Sequence, residues 1–364
     1  MKKQFYTIYI IAAIAAVFPA ASQASEENDK IRFHGYGELH YNNSNKPGST
    51  DMMDNHRLVL GWTYRYSDRV LFNAEVDFEH AAKEMELEFA FVDILLTESF
   101  NIRAGSMLMP VGYLNEFHEP PLFYSVERPY VQKNIIPTTW QEGGIGVFGK
   151  TMGGNLRYRV YLVGGLNASD FTAGSGIRNG RGKVAESPSN DLALVGRLEY
   201  AGVKGLRLGA SGYTGNSGQG IDGVGDARVD LWEADARYWF KGLELTGLYT
   251  RITVGDTGAI FAKTGQAVGK EITGGYAEAA YHLGKHFLPS DMNLVIFGRH
   301  ERYNTQRSMV PGLTVNPAND VKVSTFGVSF FPISQVALKA DVENWETKAG
   351  KSWEQLNVGI GYMY

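Results

Sequence analysis

The sequence predicts an all-β chain that closes into a transmembrane antiparallel β-barrel of about 16 strands, with a long third external loop folded inward. Three observations carry this: apolar and polar residues alternate over segments of strand length, long and short connections take turns along the chain, and charges interrupt every apolar run beyond the first residues. A barrel of this kind keeps its mean hydropathy low because only one face of each strand meets hydrocarbon.

The last strand shows the alternation most plainly. Leu356, Val358, Ile360, Tyr362 and Tyr364 share one face, and Gln355, Asn357, Gly359 and Gly361 the other. In Asp230 to Phe240 the apolar set Trp232, Ala234, Ala236, Tyr238 and Phe240 opposes Glu233, Asp235 and Arg237. Segment 70–79 sets Val70, Phe72, Ala74, Val76 and Phe78 against Asn73, Glu75, Asp77 and Glu79. Segment 57–66 sets Leu58, Leu60, Trp62, Tyr64 and Tyr66 against Arg57, Thr63 and Arg65. The same reading places strands at 31–41, 56–66, 69–79, 84–96, 99–109, 142–151, 154–166, 190–201, 204–214, 228–240, 242–252, 271–283, 291–303, 321–331, 334–346 and 353–364. Connections at one end are long, up to 110–141 and 167–189, while most at the other are as short as Ser67-Asp68 or Thr97-Glu98. Long loops outside and short turns inside are the asymmetry of a bacterial outer-membrane barrel. The glycine-rich segments 174–182 and 215–225 read as mobile loops.

Export is the second requirement. Met1-Lys2-Lys3 is followed by an apolar run from Ile8 to Phe18 and the small-residue site Ser22-Gln23-Ala24, which reads as a signal peptide over 1–24 with the barrel domain over 25–364. Its removal leaves a formal charge of −6 in place of −4, which gives no nucleic-acid footprint. The chain has no cysteine, so disulfides and thiolate sites are excluded.

About 8 strands leave a barrel filled by side chains, whereas 16 to 18 leave an aqueous channel. The connection from Pro110 to Trp140, PVGYLNEFHEPPLFYSVERPYVQKNIIPTTW, is then the third external loop. Five prolines stiffen it, and its aromatic residues suit packing on an inner wall. Its polar Glu116, His118, Glu119 and Arg128 are candidates for a constriction. Period two adds wall candidates Arg32, His34, Glu38, Arg57, Arg65 and Arg103. Arg157, Arg159, Arg197, Arg237 and Arg299 are spaced as a basic wall that would favour anions if it gathers at the height of the loop.

Catalysis and cofactors find no support in the sequence. No GxSxG elbow is present, and His118-Glu119 lacks the second histidine of a metalloprotease helix. His34 and His40 flank Glu38 on one strand face but offer an incomplete ligand set, so no metal is expected. A plugged structural or adhesive barrel and an outer-membrane enzyme are the alternatives to a channel.

The block RAGSMLMPVGYLNEFHEPPLFYSVERP, the opening HGYGELHYN and the ending VALKADVENWETKAGKSWEQLNVGIGYMY resemble the family of phosphate-selective porins O and P. The resemblance implies a 16-stranded barrel in the outer membrane, in contact with its lipid, assembled as a homotrimer and passing small hydrophilic solutes or ions, anions among them. The loop lysines that accompany phosphate selectivity in that family are not matched in 215–227, which holds no lysine.

Overall fold

The computed structural model describes residues 30–364, so the expected signal peptide over 1–24 lies outside the described residues. Sixteen strands follow in order: β1 (Ile31–Ser44), β2 (Met52–Ser67), β3 (Val70–Glu79), β4 (Glu84–Leu95), β5 (Asn101–Leu108), β6 (Gln141–Thr151), β7 (Leu156–Gly164) and β8 (Leu192–Val203). The second half comprises β9 (Leu206–Gly215), β10 (Val229–Phe240), β11 (Leu243–Val254), β12 (Glu271–His282), β13 (Asn293–Ser308), β14 (Asp320–Ile333), β15 (Val336–Thr347) and β16 (Ser352–Met363). Each pairs antiparallel with its sequence neighbours, and β1 pairs with β16 to close the barrel.

The outward face is the one the alternation marks. On β10, Trp232 is 49% exposed and Phe240 53%, whereas Glu233 between them is 1% exposed. On β16, Leu356 and Val358 are exposed while Asn357 is fully buried. No helix among the described residues is long and apolar enough to cross a membrane. A closed antiparallel sheet satisfies its backbone groups without water, which is what a hydrocarbon environment demands.

Two strand limits differ most from expectation. β2 begins at Met52 rather than 56, and β13 runs to Ser308 rather than 303. The extension of β13 is polar because its side chains bond to loop backbone inside the barrel: Thr305 Oγ1 donates to the Ala173 carbonyl and Gln306 Nε2 to that of Ala267. A polar stretch of this kind carries no period-two signal.

At the end bearing the long connections, eight loops follow in chain order: L1 (45–51), L2 (80–83), L3 (109–140), L4 (165–191), L5 (216–228), L6 (255–270), L7 (309–319) and L8 (348–351). L3 to L6 pack inward on the wall. Trp140, Leu166, Phe171, Ile177, Val224, Ile260 and Val268 of these loops form one buried cluster with inward Tyr161, Val195, Tyr213, Leu231, Ile252 and Ile272. The inner wall is thus apolar beneath the loops. The glycine-rich segments 174–182 and 215–225, expected as mobile loops, are packed against it: Ile177 is 1% exposed and Val224 0%. L6 contributes a short helix, α1 (Thr257–Thr264), whose Ile260 points into the cluster.

Val358 sits in the middle of β16 on the outward face. Val358→Arg should therefore destabilise the barrel in lipid by roughly 2–4 kcal/mol, measured by denaturant unfolding from vesicles.

Candidate pore and its inner loop

L3 leaves the wall between β5 and β6 and crosses to the opposite strands. Its root is tied by Asn115, whose Nδ2 donates to the carbonyls of Met109 (2.8 Å) and Trp140 (2.9 Å) and whose Oδ1 accepts from Trp140 N at 3.0 Å. On the far side, Lys339 Nζ of β15 donates to the carbonyls of Pro120 and Ser125, at 2.6 and 2.9 Å. Asp341 accepts from Val126 N (2.6 Å), Glu343 from Tyr130 Oη (2.9 Å) and Glu301 from Val131 N (3.0 Å). Lys339, Asp341 and Glu343 alternate with the exposed Leu338 and Val342, so these bonds lie on the inner face.

Glycine makes room for this crossing. At Gly361 of β16 a Cβ would fall on the Cβ of Pro120, and at Gly359 it would come within 3.1 Å of Val126 Cγ1. The loop backbone thus rests on wall positions that carry no side chain. Pro120–Leu122 turns as a 3₁₀ segment and Val131–Ile135 as one π turn, so the prolines and the wall contacts together fix the path.

The predicted site residues fall into three groups. Within the loop, Glu116 Oε1 pairs with Arg159 Nε (3.2 Å), and His118 Nε2 lies 2.6 Å from Tyr36 Oη and 2.9 Å from Glu88 Oε1. Glu119 leaves a buried oxygen without a hydrogen-bond partner among the described residues. On the β1–β4 wall, Arg57 Nη2 meets Glu79 (2.8 Å) and Asp77 (3.4 Å), with Glu38 3.8 Å from its Nε. His34 pairs with Glu75 at 2.9 Å, and Arg103 is held by Asp93 through two nitrogens, with its guanidinium 3.7 Å from the Phe91 ring centroid.

The third group is the spaced arginines, and carboxylates take up most of their charge. Arg197 contacts Glu199, Glu233 and Asp235 (3.4, 3.1 and 2.7 Å). Arg159 adds Glu199 to its pair with Glu116, and Arg299 meets Glu278 and Glu301 at 3.1 and 3.0 Å. Arg299 is 1% exposed beneath L3, where its Nη1 donates to Ser125 Oγ, so it serves as part of the loop seat rather than an open surface. Arg237 lies 4.4 Å from the Tyr113 ring centroid. Arg32, Arg65 and Arg157 are exposed and stand apart from L3.

A polar cavity of about 200 Å³ remains between L3, L4 and the β1–β4 wall. It is lined by Glu38, His40, His56, Arg57, Glu79, His80 and Glu86 of the wall and L2, by Glu127, Arg128 and Lys133 of L3, and by Arg178, Arg181 and Lys183 of L4. Lys183 pairs with Glu86 (2.6 Å) and Lys133 with Glu127 (2.9 Å). Arg128, Arg178 and Arg181 have no carboxylate within 4.0 Å among the described residues. Burial pushes all three guanidiniums down from their ordinary value, reinforced for Arg128 by neighbouring Arg57 and for Arg181, lowered to about 10, by Arg178. Sequence reasoning found Arg128 but missed the L4 cations. Their signal was the run GIRNGRGK, in which three cations occur without an acid.

Sixteen antiparallel strands closed around an inward third long loop make the fold of the outer-membrane porins. The solved structures similar to this chain include the outer-membrane channel DcaP of Acinetobacter baumannii, with a TM-score of 0.61 at 12% identity, covering 95% of this chain and 100% of that one. OmpF of Salmonella typhi gives 0.61 at 12% identity, covering 92% and 97%, and the anion-selective porin of Comamonas acidovorans gives 0.60 at 13% identity, covering 92% and 99%. No family model matches the sequence. An uncharacterized protein of Aquifex aeolicus is 32% identical over 368 residues, covering 96% of this chain and 84% of that protein, and the chain belongs to its family.

Glu127 links loop seating to pH. Burial alone would raise its carboxyl, but Lys133 and the His40 ring, 3.3 Å away, hold it well below the usual carboxylate range. A depressed carboxyl contributes stability that is present above its unfolded value of about 4.3 and is lost as pH falls through the lower folded value. Single-channel conductance should therefore stay constant from neutral pH down to the unfolded value and change only in stronger acid. Lys133→Met should move that change to higher pH.

Proposed function

We propose that the chain is an outer-membrane porin through which small hydrophilic solutes and ions diffuse, with a preference for anions, and that it catalyses no reaction. The observation that carries the anion preference is the set of three guanidiniums, Arg128, Arg178 and Arg181, that border the polar cavity without carboxylate partners. A ring of one charge sign at a narrow section favours ions of the opposite sign. The wall arginines contribute less on this reading, because their fields are cancelled at short range by Glu199, Glu233, Asp235, Glu278 and Glu301.

In this reading L3 narrows the passage to the side bounded by β1–β4, and Glu116, His118, Glu119 and Arg128 border or support the narrowest section. The long-loop end faces outward from the cell, lipid surrounds the barrel, and three copies assemble. For the trimer contact, the outer wall of β8–β11 is favoured: a concavity of about 650 Å³ over Gly196 and Gly212 lies there beside outward Asp230 and Arg251. Charges on that face are costly in lipid and suit a subunit contact.

A plugged barrel is the second reading, favoured by the dry cluster that occupies one side of the lumen beneath L3 to L6. Purified protein in a planar bilayer separates the two, since stepwise conductance supports the porin and a silent membrane supports the plug. Across a potassium chloride gradient the reversal potential should report chloride preference, and Arg128→Ala should shift it towards zero. A cation preference of the unaltered protein overturns the anion reading. Deleting 116–130 should raise single-channel current, and an unchanged current would place that segment outside the conducting path.

A further inference from the structure

The external mouth of the cavity carries a second cluster that the channel reading does not use. Asp54 and His56 stand near the start of β2, and His80 begins L2, the tight connection from β3 to β4. Asp54 Oδ2 lies 3.2 Å from His56 Nδ1 and 2.7 Å from His80 Nδ1. All three ligand atoms fall within 4.8 Å of one another. The backbone holds them there: His80 N donates to the His56 carbonyl and Ala81 N to that of Asn55, both at 3.1 Å. The His56 ring is fixed by stacking on His40, with centroids 4.8 Å apart and planes 16° from parallel. His80 meets it edge-on at 5.5 Å.

We infer that Asp54, His56 and His80 form a binding site for a borderline-soft divalent transition-metal cation of the zinc and copper class, open to the cavity at its fourth position. The separations support this. Metal–nitrogen and metal–oxygen bonds of about 2.0–2.2 Å in a tetrahedral arrangement set ligand atoms roughly 3.3 Å apart. The Asp54–His56 separation matches this to about 0.1 Å, the Asp54–His80 separation must open by about 0.6 Å, and the two Nδ1 atoms lie within 4.8 Å of each other. Two imidazoles with one carboxylate select zinc, copper or nickel over magnesium and calcium, which prefer all-oxygen sites. Binding requires each ring to carry its proton on Nε2 and offer Nδ1, a change of tautomer with no net loss of protons from neutral rings.

Of the nearby cations, Arg57 is engaged by Glu79, Lys183 by Glu86 and the His40 ring by Glu38 and Glu127, whereas Arg128, Arg178 and Arg181 border the same cavity unpaired, so the ion is held by its three ligands against that field, with Asp54 supplying the negative charge. His56 and His80 both line the cavity, so the open coordination position faces the passage and is free for water or an anionic solute group.

The test is metal uptake by the purified, untagged barrel, which does not depend on conduction and so fails or succeeds separately from the porin reading. Calorimetric titration at neutral pH should show saturable one-to-one binding of Zn²⁺ and none of Mg²⁺. His80→Ala and Asp54→Ala should each weaken Zn²⁺ binding by about tenfold or more. Absence of Zn²⁺ uptake, or uptake undiminished in both variants, overturns the inference. Should the variants fail to fold, the electron-spin resonance of Cu²⁺ on the unaltered protein decides: coupling to two imidazole nitrogens supports the site, and oxygen ligation alone overturns it.

Discussion

The structure depends on one seam. β1 and β16 are the first and last strands, and they pair from Tyr36 with Met363 to Ser44 with Gln355. Gly35 and Tyr364 add two backbone bonds beyond the last paired positions, at 3.1 and 2.9 Å. Without this pairing the sheet would have two open edges, each a row of unsatisfied amides and carbonyls that hydrocarbon cannot solvate. Closure makes the outward apolar stripe tolerable and creates an interior. Everything that occupies the interior then acts inside a wall of fixed size.

That interior is divided. One side is dry, where L3 to L6 cover inward apolar residues of β7–β12. The other side is ionic, where Arg57, Glu38, Glu79 and the L3 and L4 cations surround the polar cavity. L3 separates the two and draws its hold from both, with Tyr113 and Trp140 on the dry side and Glu127 and Arg128 towards the wet one. Burial of so many charges is tolerable because most are ion-paired and others, such as Glu142, Lys339, Asp341 and Glu343, are held by hydrogen bonds to loop backbone or to neighbouring side chains.

The wall was legible in the sequence and the filling was not. Period two located all sixteen strands because a lipid-compatible wall favours an apolar side chain at every second residue, the outward one. The rule is silent about what the inward residue meets. Val195 and Leu231 face loops, Arg197 and Glu233 face each other, and both situations give the same outward alternation. The third loop was recognisable from its length and prolines, yet its partners on β13–β15 lie far away in sequence and are joined to it only by closure. The L4 cations were overlooked because their glycine-rich setting resembles an unpacked loop, and only the fold shows that Ile177 and Phe171 anchor it.

The seating of L3 on Gly359 and Gly361 makes the loop and its far wall a single structural unit. Pro120 and Val126 occupy volume that side chains at those glycines would fill, and Lys339 holds the loop through two of its carbonyl oxygens and the Phe123 ring. Cavity-lining side chains along the loop can therefore be exchanged while the groove beneath holds its course. Grafting this loop into another barrel would transplant its chemistry but not its shape, unless the bare strip of wall travelled with it.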